Sequence, residues 1–315
     1  ASAYADLFSI EYDGTQFNPA GKTHCGSNAI TTVSGNGANW TDKPIGILPG
    51  LQAVASDGAK LVAMSGYGNI YLSADAGTSW GYCTGGSTQT LQDVAYNGSN
   101  LYVAVGLKGT IQTSPDGRDW TIQTSGTAND LNKVDYLDGQ FIAVGKAGTI
   151  LTSPDGVIWT AQTTGVTQEL KGLTYGEGRY VVVGGSSDSS PVMLYSTDGV
   201  TWTSEDMTGI ISRSFVSVAY GDGAFLAVMQ YGQAYRYTWN AEADKFDHTR
   251  VADLAGSGCY PKDIIWGGET FAAVGGYGEV YLSSDKGGSW TLVDTDLDSY
   301  SLGIAYGGGN LIAVG

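Results

Sequence analysis

The chain has 315 residues, of which 48 are glycine and only 15 are lysine or arginine, and its formal net charge is −16. So few basic side chains do not supply the phosphate contacts that nucleic-acid binding requires, and an anionic membrane surface should repel the protein. No apolar run approaches the ~18 residues of a membrane-spanning helix, so we expect no membrane insertion. The first residues, Ala1, Ser2 and Ala3, are compatible with the remnant of a cleaved secretory signal.

One turn motif recurs along the chain at a spacing near 40 residues. It reads SADAGTSW at 73–80 and SPDGVIW at 153–159, has Asn in place of Asp at 34–40, and is degraded at 238–246. The aromatic residues that close the copies are Trp40, Trp80, Trp120, Trp159, Trp202, Phe246 and Trp290. Two apolar segments recur in step with the turn, such as LQDVAY at 91–96 and YVAVG at 102–106. Each repeat therefore predicts four short strands, named A to D, with the turn between C and D.

Four antiparallel strands per repeat are typical of one blade of a β-propeller. We predict an all-β fold, a seven-bladed β-propeller of four-stranded antiparallel blades that forms a single domain over 1–315. The blades are placed around 51–90, 91–130, 131–169, 170–214, 215–260, 261–300, and 301–315 with 29–50. In this arrangement the C-terminal strands pair with the N-terminal strands to close the ring, and residues 1–28 form an irregular segment.

An alternative for the ring stays open, because residues 7–17 look like an eighth strand A followed by its turn. The first blade would then be complete but degenerate, and residues 301–315 would form a surplus half-blade.

The S-x-D-x-G-x-x-W motif resembles the Asp-box, or BNR, repeat of sialidase-like propellers, over nearly the whole chain. The resemblance implies a structural motif, in which Asp accepts backbone N–H bonds within the turn, Gly adopts a positive φ and Trp packs between sheets. The residues given this structural role are Asp75, Asp116, Asp155, Asp198, Asp285, Trp40, Trp80, Trp120, Trp159, Trp202 and Trp290. We therefore expect none of these carboxylates to be catalytic.

Sialidase chemistry is excluded by the arginine inventory, since that activity needs three arginines around the substrate carboxylate. Arg118 and Arg179 fall in turns on the face opposite the usual ligand site, and Arg236 lies within a strand. Only Arg213 and Arg250 remain, so no triad can form.

Another glycoside hydrolase mechanism would need two convergent carboxylates. The acids that strands A could direct into a central channel are Glu11, Asp93, Asp135 and Asp263. Isolated acids near the axis are usually solvated or paired with a neighbour, here Lys133 or Lys262. No catalytic residue is therefore assigned, and hydrolysis is kept as an alternative.

Metal and cofactor binding have little support in the sequence. The two histidines, His24 and His248, lack the spaced partners of a zinc site, so we expect no metal and no cofactor; Ca²⁺ is permitted by the acidic turns but not required by any motif. The three cysteines are Cys25, Cys83 and Cys259, and a disulfide, if present, is predicted to join Cys25 to Cys83 or to Cys259.

The residues that vary between repeats indicate a ligand face. The loops between strands B and C share a position just before a glycine, which holds Tyr67, Lys108, Ala147, Tyr231 and Tyr277 in different blades. Tyr260 lies in a connection between blades on the same face, the B–C/D–A face. Exposed Tyr suits a sugar or a protein partner. Alternatively, each Tyr packs on the corner of its own blade.

The sequence therefore favours a non-enzymatic binding or adhesion module that is secreted, at the cell surface or periplasmic. It would recognise a glycan or a protein through Tyr67, Tyr231, Tyr277 and Tyr260, with its oligomeric state left open. A structural subunit of an extracellular assembly or virion is the first alternative, and a glycoside hydrolase is the second.

Overall fold

The computed structural model describes residues 53–65, 68–75, 79–83, 86–186, 190–210, 213–254, 260–275 and 279–292 with their side chains. It also describes the backbone of the strand residues 5–12, 17–23, 29–33, 41–44, 51–52, 293, 303–307 and 310–314.

The described strands form seven four-stranded antiparallel sheets and one two-stranded sheet. Sheets 1 and 2 comprise β1 (Ala5–Tyr12), β2 (Phe17–Thr23), β3 (Ala29–Val33), β4 (Thr41–Pro44), and β5 (Leu51–Ser56), β6 (Leu61–Ser65), β7 (Ile70–Ser73), β8 (Gly81–Cys83). Sheets 3 and 4 comprise β9 (Leu91–Tyr96), β10 (Tyr102–Gly106), β11 (Ile111–Ser114), β12 (Thr121–Gln123), and β13 (Leu131–Leu137), β14 (Gln140–Gly145), β15 (Ile150–Ser153), β16 (Thr160–Ala161). Sheets 5 and 6 comprise β17 (Leu170–Gly176), β18 (Arg179–Ser186), β19 (Ser190–Ser196), β20 (Thr203–Ser204), and β21 (Phe215–Gly221), β22 (Ala224–Met229), β23 (Ala234–Asn240), β24 (Lys245–Arg250). Sheets 7 and 8 comprise β25 (Asp263–Trp266), β26 (Phe271–Val274), β27 (Val280–Ser283), β28 (Thr291–Val293), and β29 (Gly303–Gly307), β30 (Asn310–Val314).

The sheets follow one another around a ring. Within each four-stranded sheet the strands pair in chain order, and strand A of each sheet lies beside strand A of the next. The strand β29 lies between β25 and β1, so the first and last sheets are neighbours. A ring of small antiparallel sheets with their first strands innermost is a β-propeller.

The way the ring closes differs from the predicted arrangement. Strands β29 and β30 pair with each other, whereas β3 and β4 belong to a sheet with β1 and β2. The predicted pairing of 301–315 with 29–50 is therefore wrong, and residues 1–28 contain two strands of sheet 1. The alternative, with a complete first sheet and a half-sheet at the end, is the one found. A local hairpin in which Tyr12 pairs with Phe17 closes a far shorter loop than pairing between the chain ends would.

Seven blades are thus not confirmed, because the two repeating features occur in different sets of sheets. By sequence position, the seven copies of the turn motif lie between strands C and D of sheets 1 to 7, while the VAVG-like strands B lie in sheets 2 to 8. Strand B of sheet 1, β2, reads FNPAGKT and does not carry the motif.

The core lies between consecutive sheets. Strand B is buried along its whole length in sheets 2 and 3, because each sheet is covered on both faces by its neighbours. Between these sheets, Val62 and Leu72 pack with Leu91 and Tyr102 in one cluster. The outermost strands of sheets 4 and 5, β16 and β20, are only two residues long, which leaves short exposed edges.

The turn between strands C and D is closed by its aspartate. Asp155 accepts the backbone N–H groups of Val157 and Ile158 at 2.9 Å each, and the indole N–H of Trp159 donates to the Gly156 carbonyl at 2.8 Å. The turns at Asp116 and Asp198 have the same pattern. In the two turns that are one residue longer, Asp75 and Asp285 accept instead from both the backbone N–H and the hydroxyl of a serine, Ser79 or Ser289.

The degraded copy of the motif in sheet 6 has become an extended hairpin. Strands β23 and β24 stay paired as far as Asn240 and Lys245. The guanidinium carbon of Arg179, from sheet 5, lies 3.7 Å from the ring centroid of Trp239. A cation–π contact between sheets therefore accompanies the hairpin in place of the aspartate-closed turn.

A glycine in the B–C loop tests how tightly these loops pack. Gly148 has a φ of 65°, and a Cβ at this position would collide with the backbone carbonyl oxygen of Val166. Gly139 also has a positive φ, of 85°, but faces open space. We expect Gly139→Ala to lower the free energy of unfolding by about 1 kcal/mol, the cost of left-handed backbone, and Gly148→Ala to lower it by at least ~2 kcal/mol more. Urea unfolding measures both, and equal losses would contradict the close packing.

Candidate functional site

The B–C loop of the propeller holds a strained position on its surface. In sheets 3, 4 and 6 the loop is a single 3₁₀ turn, and its middle residue, Lys108, Ala147 or Tyr231, has a φ of 57°, 54° or 68°. These are the residues that precede the glycine in the sequence pattern, and all three side chains are exposed. A bulky residue rarely adopts this backbone conformation, so Tyr231 is not at this position for the benefit of local stability.

Tyr231 and Tyr260 lie together at this end of sheet 6. Their ring centroids are 5.1 Å apart with the planes tilted by 56°, and they are 49% and 40% exposed. Tyr231 comes from the B–C loop of sheet 6, and Tyr260 from the connection between β24 and β25. The structure thus brings two of the four tyrosines of the predicted ligand face into contact. Tyr67 and Tyr277 lie outside the described residues.

Arg213 completes this cluster. It precedes β21, and its guanidinium carbon lies 4.3 Å from the ring centroid of Tyr231. The contact was not predicted from the sequence, where Arg213 appeared only as a member of an incomplete arginine triad. Side chains from both connections that flank sheet 6 therefore meet at its B–C loop. We call Arg213, Tyr231 and Tyr260 the tyrosine–arginine cluster.

The backbone of the fold holds this cluster in place. The N–H of Gln230 donates to the Ser214 carbonyl at 3.1 Å, and the N–H of Leu254 donates to the Gly232 carbonyl at 2.9 Å. The first bond repeats in sheets 3 and 4, from Leu107 to Thr90 and from Lys146 to Asp130. Because the residue before strand A lies beside the B–C loop in these three sheets, this regularity is the signal that could have placed Arg213 next to Tyr231.

The acids of the predicted channel are held by neighbouring sheets. Asp93 accepts the Val134 N–H at 3.0 Å and has the Lys133 ammonium at 4.0 Å. Asp263 accepts the Ser217 hydroxyl at 2.8 Å. These bonds link strand A of one sheet to strand A of the next, which gives both carboxylates a structural task. The side chain of Glu11 lies outside the described residues.

Burial shifts the titration of the same carboxyls. It raises the pKa of Asp135 to about 6, because Lys133 offsets only part of the desolvation. Burial likewise raises the pKa of Asp93 and of Asp263 above the ordinary range, again against the effect of Lys133. Strongly shifted carboxyls can mark function, but structural networks shift pKa values as well.

The predicted disulfide partner Cys83 is a free, buried cysteine. Its thiol lies 3.4 Å from the Gly117 carbonyl oxygen, and burial raises the pKa of the thiol to about 11. A Cys25–Cys83 bond is therefore wrong, because the last residue of β8 points into the core between sheets 2 and 3 and not toward the loop face. Cys25 and Cys259 lie outside the described residues, so their pairing stays a prediction.

In the described part of the chain, no group of three or more His, Cys, Asp or Glu side chains is arranged to hold a metal ion. Nor does any helix there have the length and apolarity to cross a membrane. His248 packs beside Tyr237 with ring centroids 5.8 Å apart, and His24 lies outside the described residues.

Comparison with known proteins identifies the fold. No protein-family model and no curated protein matches the sequence. The computationally designed Ika8 protein is similar with a TM-score of 0.73 and 11% identity, covering 98% of this chain and 93% of that one. Sqt1 of Saccharomyces cerevisiae has a TM-score of 0.73 and 11% identity, over 96% of this chain and 89% of its own. YCF48 bound to D1 peptide has a TM-score of 0.62 and 16% identity, over 81% of this chain and 85% of its own. This chain has the β-propeller fold.

The backbone strain at Tyr231 predicts how substitution of this residue changes the free energy of unfolding. Asn tolerates the left-handed region better than Tyr does, and Tyr231 is half-exposed. We therefore expect Tyr231→Asn to leave the free energy of unfolding unchanged or to raise it by up to about 1 kcal/mol. Tyr180, with 1% of its surface exposed, provides the contrast: Tyr180→Ala should cost about 3–5 kcal/mol. If chemical unfolding showed a large decrease in the free energy of unfolding for Tyr231→Asn, Tyr231 would contribute to the packing of the core.

The raised pKa of Asp135 predicts an unusual pH dependence. Between its ordinary pKa of 3.8 and about 6, the folded state binds more protons than the unfolded state, so stability falls as pH rises through this window. Asp135→Asn should remove the penalty, making the protein more stable than wild type above pH ~7 by at most about 3 kcal/mol, with no difference below pH ~4.

Asp198 provides a control of opposite sign for this experiment. The N–H groups of Thr201 and Val200 lower the pKa of Asp198 to about 2. Asp198→Asn should therefore destabilise the protein at neutral pH, and this loss should shrink as pH falls toward 2. Thermal unfolding across this pH range measures both variants, and curves that shift in the same direction would contradict the assignment.

Proposed function

We propose that this propeller is a non-enzymatic binding module that recognises a segment of a partner protein through its tyrosine–arginine cluster. The observation that carries the proposal is the contact between two exposed aromatic rings, Tyr231 and Tyr260, with the guanidinium of Arg213 stacked on one of them. Tyr and Arg are the residue types that dominate binding energy at protein interfaces. The loop that carries Tyr231 is held by backbone hydrogen bonds to Ser214 and Leu254, which lowers the entropy lost on binding.

The geometry favours a protein ligand over a glycan. A pyranose ring needs a free aromatic face on which to stack, and Arg213 already covers one face of Tyr231. The rings of Tyr231 and Tyr260 are also tilted by 56°, so they form a corner and not a flat platform. A corner of this kind suits an inserted side chain of a peptide. YCF48, a propeller of similar fold, has been solved bound to D1 peptide.

The repeat type and the cellular location are part of the same proposal. We assign the repeat to the Asp-box type, supported by the shared hydrogen bonds of Asp116, Asp155 and Asp198 with the two N–H groups that follow them. We also keep the location as secreted, at the cell surface or periplasmic, which fractionation of the producing cells would test.

A peptide array tests the proposed function. The purified chain is applied to short random peptides and, in parallel, to a glycan array. We expect selective binding to a subset of peptides, and a loss of about tenfold to thirtyfold in affinity for Tyr231→Ala and for Tyr260→Ala, since truncation of a buried hot-spot Tyr costs about 2 kcal/mol.

Tyr82→Ala is the matched control, because Tyr82 is 60% exposed but lies on β8, the outer strand of sheet 2. This variant should bind the selected peptides like wild type. The proposal is overturned if no peptide binds, if only glycans bind, or if Tyr82→Ala weakens binding as much as the cluster variants do.

A further inference from the structure

The guanidinium of Arg213 lies over the ring of Tyr231 and, within the part of the chain that the structure describes, forms neither a side-chain hydrogen bond nor a salt bridge. A stacked guanidinium keeps its in-plane N–H groups directed outward, in a fork that matches a carboxylate. Arg213 is therefore a preoriented donor whose N–H groups have no acceptor among the described residues.

Two other arginines show the usual arrangement. Arg179 also stacks on an aromatic ring, that of Trp239, but it donates to the Glu177 carbonyl at 2.9 Å. Arg250 donates to the Asp253 carboxylate at 2.6 Å. In a chain with 31 acidic and 15 basic residues, Arg213 has no acidic partner among the residues that the structure describes, so its N–H groups can donate to a carboxylate of a ligand.

We propose that Arg213 receives a carboxylate of the bound peptide, either an Asp or Glu side chain or the C-terminal carboxylate. This inference rests on the proposed function and specifies the ligand of the same cluster. The apolar neighbours of that carboxylate pack in the corner between Tyr231 and Tyr260, while its two oxygens accept the in-plane N–H groups of Arg213.

The net charge of the chain restricts the partner further. At −16, the long-range field of the protein repels polyanions and attracts basic partners. The carboxylate that Arg213 binds therefore belongs to a segment that is otherwise neutral or basic. Added salt should slow association with such a segment, because it screens the attraction.

The experiment uses the peptides selected by wild type, each resynthesised in three forms. The first is unchanged, the second has Asp and Glu replaced by Asn and Gln, and the third has a C-terminal amide. Affinity is measured by titration for wild type, Arg213→Gln, Arg213→Lys and Arg213→Glu. Arg118→Gln is the matched control, since Arg118 is an exposed arginine in an Asp-box turn on the opposite face.

We expect one of the two neutralised forms to lose tenfold or more in affinity for wild type, and the form that does so identifies the source of the carboxylate. Arg213→Gln should lose a similar factor with the unchanged peptide and almost nothing with that neutralised form, while Arg213→Lys should keep part of the affinity. Arg213→Glu should regain binding to a peptide in which the acidic residue is replaced by Lys, which a misfolded variant would not do.

The failure of this inference is distinguishable from the failure of the proposed function. One outcome is that wild type binds the neutralised peptides with unchanged affinity and Arg213→Gln binds the unchanged peptide like wild type, while Tyr231→Ala and Tyr260→Ala bind it weakly. The cluster would then bind peptides without contacting a carboxylate, which overturns this inference but not the proposed function. The same holds if Arg118→Gln weakens binding as much as Arg213→Gln does. If the chain selects no peptide at all, both are overturned.

Discussion

Burial of strand B on both faces is the constraint on which the rest of this molecule depends. A small antiparallel sheet whose middle strands are apolar on both sides cannot be stable alone, and each sheet here is covered by the sheets before and after it. The ring follows from that requirement, since only a closed circle gives every sheet two neighbours. Side chains inside the ring are therefore committed to packing, and variation is confined to the ends of the strands.

This packing fixes the positions of the strand ends, and therefore of the loops that connect them. The carbonyl of the residue before strand A accepts an N–H from the B–C loop in sheets 3, 4 and 6, so each loop is pinned to the connection that enters its own sheet. Arg213 and Tyr231 meet for this reason and not through any local affinity in the sequence. The carboxylates of Asp93 and Asp263 serve the same ring from inside, where they bond to strand A of a neighbouring sheet.

Much of this fold could be predicted from the sequence, because turn, strand B and closing aromatic recur in register. What could not be predicted was the way the ring closes, since β2 and β29–β30 do not show the full repeat. Counting either motif alone gives seven, and it is the pairing of β2 with β3 that places the first turn motif and the last strand B motif in different sheets. Tyr231 and Tyr260 could be predicted because they lie at positions where the repeats differ from one another. Arg213 was missed because its role depends on a backbone contact between Gln230 and Ser214, which are 16 positions apart.

The left-handed residue of the B–C loop has a consequence for how such a surface can change. Lys108, Ala147 and Tyr231 place a cation, a methyl group and an aromatic ring on nearly the same backbone geometry. The glycine after this residue and the carbonyl that accepts the loop N–H hold this conformation, so the loop forms with Lys, Ala or Tyr alike, although a bulky side chain adds strain. On this face of the ring, a single substitution at the left-handed position of a B–C loop can therefore change which ligand groups the loop contacts, while the backbone of the propeller stays the same.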